Sequence, residues 1–231
     1  LNVTNLLQQS LLHLGVILNF PKVVRQLVAQ GAIIDQRDRN GNTPLHVACS
    51  RGNLDSVLAL TTPLEPREVK NIQYEVAYRR IPQDQSTMNY EGLTCLHLAA
   101  SGGYINIVNH LITKCYADIN VQEGRGGETI LHQAVESNNQ ELVKYLLLHR
   151  ELQINATRYD GSTALSLAKG RLNRHLVNIL VNAGAEDLNF SFTDKIEDET
   201  DLHDESMEEC NSFDSEFSYD DFKIGGNDIS T

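Results

Sequence analysis

The sequence predicts an all-α solenoid of stacked helix pairs that ends in an acidic tail, and three observations predict it. A six-residue pattern returns along the chain at a nearly constant interval, and each copy is followed by apolar residues at helical spacing. The charge is also divided: residues 1–185 carry 17 Lys+Arg against 15 Asp+Glu, while residues 186–231 carry 2 against 16. A hydrophobic content of 41% across 231 residues is enough for a buried core. The acidity therefore belongs to the tail, at a net −14, and not to the body, at +2.

The hexads are Ser10-Leu-Leu-His-Leu-Gly15, Thr43-Pro-Leu-His-Val-Ala48, Thr94-Cys-Leu-His-Leu-Ala99, Thr129-Ile-Leu-His-Gln-Ala134 and Thr163-Ala-Leu-Ser-Leu-Ala168, the first being the weakest copy. Their intervals are 33, 51, 35 and 34 residues, three of which match the ankyrin period of about 33. About five ankyrin repeats are expected. In each, the Thr caps a first helix, Pro suits its first turn, and Leu and Ala supply contacts between neighbouring helices. Thr43, Thr94 and Thr129 are thus structural. His13, His46, His97 and His132 recur about one repeat apart instead of converging, which makes them structural hydrogen-bonding residues and not a metal site. Ser166 replaces the His in the last hexad.

A second helix follows each hexad, with paired aliphatics such as Val23-Val24 with Leu27-Val28, Ile107-Val108 with Leu111-Ile112, Leu142-Val143 with Leu146-Leu147 and Leu176-Val177 with Leu180-Val181. This i, i+3, i+4 recurrence gives one apolar helix stripe. Gly31-Ala32 and Gly184-Ala185 end second helices, and Asn40-Gly41, Glu91-Gly92 and Asp160-Gly161 are turn dipeptides at the tips of projecting finger loops. The long interval marks an insertion over about residues 61–88, with Pro63, Pro66, Pro82 and Arg79-Arg80, read as a solvated excursion that stacking tolerates.

From Glu186 onward the repeat stops and acids dominate through Glu197-Asp-Glu199, Glu208-Glu209 and Asp220-Asp221, a composition that reads as disorder in isolation. Five of the six Phe in the chain lie here. Aromatics among carboxylates suit docking on a basic surface better than simple solubilisation. Glu208, Glu209, Asp214, Glu216, Asp220 and Asp221 are the candidate charges, with Phe213, Phe217 and Tyr219 as anchors. Ser206 and Ser218 each precede an acid by three residues, a pattern that acidophilic kinases accept and that chance also produces in an acidic tail.

Cys49, Cys95, Cys115 and Cys210 are widely separated and form no C-x-x-C pair, which suits reduced intracellular thiols. The sequons at Asn2, Asn155 and Asn189 read as accidental in that setting. No apolar run approaches the roughly 18 residues of a membrane span. Gly124-Arg-Gly-Gly127 lacks the Lys of a phosphate loop, and no nucleophile elbow or H-E-x-x-H appears. Neither an enzyme nor a cofactor is expected.

Several segments resemble the IκB family. Leu1-Asn-Val-Thr-Asn-Leu-Leu-Gln-Gln-Ser10 is similar to the join between that family's first and second repeats, Asn89-Tyr-Glu-Gly-Leu-Thr-Cys-Leu-His97 to a later repeat opening, and Tyr219-Asp-Asp-Phe-Lys-Ile-Gly-Gly226 to its C-terminal segment. The resemblance implies a remnant of one further repeat before Ser10. It also implies a stoichiometric inhibitor of a Rel/NF-κB (Dorsal-like) dimer, cytoplasmic with nuclear shuttling, whose PEST-like tail competes with DNA. Direct binding of nucleic acid, membrane or small molecules is not implied. The finger contacts chosen on that basis are Asp38, Arg39, Asn40, Asn89, Tyr90, Glu91, Arg158, Tyr159 and Asp160. A generic ankyrin adaptor and a nuclear co-regulator of Rel proteins on DNA are the rival readings.

Overall fold

The computed structural model describes residues 2–69 and 85–187. Five short first helices begin at the second residue of the five hexads: α1 (Leu11–Ile17), α3 (Pro44–Ser50), α6 (Cys95–Ser101), α8 (Ile130–Glu136) and α10 (Ala164–Gly170). Each is paired with a second helix, respectively α2 (Pro21–Ala29), α4 (Leu54–Thr61), α7 (Ile105–Thr113), α9 (Gln140–Leu147) and α11 (Arg174–Asn182). A single turn, α5 (Pro66–Val69), lies at the start of the insertion. The first helices pack in series, α1 on α3, α3 on α6, α6 on α8 and α8 on α10, with α2 on α4 and α4 on α7 alongside. The ankyrin-repeat fold class is borne out.

The stack coheres because every hexad buries the same two positions. The leucines Leu12, Leu45, Leu96, Leu131 and Leu165 are buried, and Ala48, Ala99, Ala134 and Ala168 let adjacent helices approach closely. Removing one such leucine from water is worth about 1.5–3 kcal/mol, and helices of seven to nine residues would not persist without it. The buried residues form one continuous core from Leu12 to Leu180.

Each helix pair turns through one residue in the left-handed region: Asn19, Gly52, Gly103, Asn138 and Leu172, at φ between 53° and 71°. Gly and Asn tolerate that region; leucine does not.

The histidines tie neighbouring repeats together. Nδ1 of His13, His46, His97 and His132 accepts the backbone N–H of Ser10, Thr43, Thr94 and Thr129 at 3.1–3.4 Å. On the other side of the ring, Nε2 of His13, His46 and His97 meets the carbonyls of Asn42, Thr87 and Glu128 in the next repeat at 2.9, 3.1 and 3.1 Å. A carbonyl only accepts, so Nε2 carries the proton. Ser166 reproduces the local half alone, its Oγ accepting from Thr163 N–H at 2.9 Å and donating to the Thr163 carbonyl at 2.8 Å. Among the described residues no further repeat follows the last hexad.

The insertion leaves α4 under the hold of Arg25 on α2. Its guanidinium forms a bidentate pair with Glu68, both bonds 2.7 Å, and donates to the carbonyls of Thr62 and Pro63 at 2.6 and 2.7 Å. Arg79 and Arg80 lie outside the described residues.

Candidate functional site

The loops that precede the first helices are hairpins, and their construction decides which side chains face outward. Single antiparallel bridges, Thr4 with Ser10, Met88 with Thr94 and Thr157 with Thr163, close the base of three of them. At the tips of the first three, a short polar side chain folds back on its own turn. Asn5 Oδ1 accepts from Leu7 and Gln9, Asp38 Oδ1 from Asn40 and Asn42, and Asn89 Oδ1 from Glu91 and Leu93, all at 2.8–3.0 Å. Glu123 does the same in the longer fourth finger, accepting from Arg125 at 2.7 Å and from Gly126 and Glu128. Burial pushes the Glu123 carboxyl up, but these N–H donors outweigh it and hold the group below the usual carboxylate range.

The tips are joined to one another by backbone. Arg39 N–H donates to the Leu7 carbonyl, Tyr90 to Asn40, Gly124 to Gly92 and Tyr159 to Gly126, at 2.9–3.0 Å. Two tyrosines reinforce the joints. A Cβ on Gly41 would lie 2.6 Å from the Tyr90 ring, and one on Gly127 2.5 Å from the Tyr159 ring, so each ring rests on the bare backbone of the preceding finger. Their remaining surface is open: Tyr90 is 68% exposed and Tyr159 66%. Leu6, at 99%, is the corresponding residue of the first finger.

Of the nine finger residues chosen from sequence, six present themselves to solvent: Arg39, Asn40, Tyr90, Glu91, Tyr159 and Asp160. Asp38 and Asn89 do not; they are 5% and 7% exposed, and their side chains are consumed by the turns they close. Arg158 is likewise turned inward, paired with Glu128 at 2.5 Å and Glu136 at 3.1 Å. Glu128 is pushed above the usual carboxylate range by burial first, then by Glu136. Asp160 is held below its usual range by the Ser162 hydroxyl and then the Ser162 N–H. Sequence reasoning overlooked Glu123 and the exposed Arg125 beside it. The finger carries a turn signal of its own, a glycine at positive φ four residues after Glu123, at Gly127, against three after Asp38 and Asn89.

Among the described residues no three His, Cys, Asp or Glu side chains come together to hold a metal ion, and no helix is long and apolar enough to cross a membrane. The tail residues singled out above, Ser206 to Asp221, lie outside the described residues.

A stack of helix pairs carrying a linked row of hairpin tips is a repeat scaffold that presents those tips along one exposed edge. The comparisons agree: the pattern described as "Ankyrin repeats (3 copies)" matches residues 1–74 and 68–158. The ankyrin repeat domain of Bcl-3, described as a unique member of the IkappaB protein family, superposes with a TM-score of 0.68 at 35% identity, over 80% of this chain and 75% of that one. NF-kappa-B inhibitor alpha of Gallus gallus is 36% identical over 229 residues, 99% of this chain and 66% of that protein. NF-kappa-B inhibitor cactus of Drosophila yakuba is 36% identical over 179 residues, 72% of this chain but only 36% of that protein. The chain belongs to the ankyrin-repeat proteins and, among them, to the IκB family.

Proposed function

We propose that the chain is a stoichiometric inhibitor that binds a Rel/NF-κB dimer of the Dorsal-like kind and retains it in the cytoplasm, with passage through the nucleus. Residues 1–185 hold the dimer, and residues 186–231 compete with DNA for its basic surface. The observation that supports this reading is the row of exposed tips, Leu6, Arg39, Tyr90, Glu91, Arg125, Tyr159 and Asp160, carried on one backbone-linked edge. The relatives of similar sequence are called NF-kappa-B inhibitors. A basic DNA-binding surface attracts a segment of net −14, and that attraction is long-ranged and weakened by salt. Phosphate on Ser206 or Ser218 would add about −1.5 to −2 each to the same field.

The test compares the full chain with one ending at Ala185, each titrated against a Rel dimer held on κB DNA. Both bind the dimer; the shorter chain displaces DNA poorly, and its displacement depends less on salt. Equal displacement by the two chains overturns the competition, and a ternary complex on a native gel favours a co-regulator instead.

A further inference from the structure

Leu172 is out of place in three respects. It occupies the turn between α10 and α11 at φ 54°, where the four preceding repeats place Asn19, Gly52, Gly103 and Asn138. A branched side chain in the left-handed region costs about 1–2 kcal/mol relative to residues that tolerate it. Its side chain is 87% exposed, so no packing within the fold offsets that cost. The sequence around it is also one-sided: between Asp160 and Glu186 the chain has no Asp or Glu, but Lys169, Arg171 and Arg174 lie within three residues of the leucine and all are exposed, as is His175. Lys169 bonds Asp187 at 2.6 Å and Arg171 donates to the Glu136 carbonyl at 2.6 Å, while Arg174 and His175 have no side-chain partner among the described residues. Arg174 opens α11, whose N-terminal dipole adds to the positive field.

We propose that Leu172 and the Arg171 and Arg174 that flank it in the chain form a second interaction site, away from the fingers, for an acidic protein segment that carries an apolar side chain. Strained residues that the fold does not need are retained where they contact something. An exposed leucine flanked in the chain by arginines fits a partner whose carboxylates meet Arg171 and Arg174 while one apolar group covers Leu172. A plain polyanion would satisfy the cations and leave the leucine bare. The site does not depend on the Rel-binding reading.

The probe is an acetylated, fluorescein-labelled heptapeptide, Asp-Glu-Leu-Asp-Phe-Glu-Asp, followed by anisotropy with the full chain at low salt. Leu172→Asn keeps a residue that the turn tolerates, so its melting temperature should not fall, yet its affinity for the peptide should drop about tenfold. Replacing the Leu and Phe of the peptide by Ser should weaken wild-type binding to the same degree, and Arg174→Gln should weaken it and flatten its salt dependence. Absence of binding to the wild type, equal binding by Leu172→Asn, or equal binding of polyglutamate and the peptide would each overturn the proposal.

Discussion

Replacing Gly41 by Ala tests whether the finger tips are mechanically joined. Two costs are superposed there. Gly41 has φ +76°, a conformation that costs an L-residue about 1–2 kcal/mol. The new Cβ would also lie 2.6 Å from Tyr90 Cδ1 and 2.8 Å from the Tyr90 backbone nitrogen. Ring rotation relieves the first contact but not the second, so the finger itself must shift, an overpacking cost of about 1–3 kcal/mol. Gly161 is the internal control: its φ is +82°, and a Cβ there would meet nothing within 4 Å. Gly161→Ala should therefore show the conformational cost alone, and Gly41→Ala should exceed it by about 1–3 kcal/mol. At about 2–4 °C per kcal/mol for a chain of this size, the gap is resolvable in a thermal melt, and urea midpoints give a second measure. Equal losses in the two variants would refute the argument that Tyr90 seats on the preceding finger.

Two further outcomes follow from burial. Ser56 sits in α4 where other repeats place Ile107, Leu142 and Leu176, and its buried hydroxyl has no hydrogen-bond partner; Ser56→Ala should raise stability by about 1 kcal/mol, and a lower melting temperature would contradict it. Burial holds His13, His97 and His132 below the ordinary value of 6.5, so they are neutral in the folded chain. A depressed pKa contributes stability that is intact above 6.5 and lost as pH falls through the folded value. The urea midpoint should decline once pH passes below about 6.5, above the range in which the carboxylates titrate. A midpoint that is flat from pH 7 to 5 would show that the imidazoles are not linked to folding.

The repeat architecture was legible because its signals are local: a hexad needs only six residues to specify a cap, a first turn and two buried contacts. The direction in which finger side chains point was less legible. Asp38 and Asn89 resemble contact residues by composition, being polar and at a tip, but their oxygens satisfy N–H groups two and four residues on. The inward turn of Arg158 is hidden from the sequence for a different reason, since the Glu136 that pairs with it is 22 residues away and belongs to another helix pair. Arg25 and Glu68, 43 residues apart, are equally invisible to a reading by pattern. The tyrosine-on-glycine seats combine two repeats, so neither residue announces the other.

The backbone bonds between finger tips determine where this protein can change length. Each of the three middle tips is fastened to its neighbours on both sides, so a residue added there must be absorbed without letting go of either one. The fourth finger shows how: its tip closes from Glu123 to Glu128, one residue wider than Asp38 to Asn42, and it receives its neighbours through two different glycines, Gly124 toward Gly92 and Gly126 toward Tyr159. The interval between the second and third hexads, by contrast, is some 18 residues longer than its neighbours, and the described start of the extra chain is held at the far end of α4 by Arg25. A residue inserted at a middle tip should therefore lower the stability of the stack more than one inserted after α4, because only the former must be absorbed between two fixed joints.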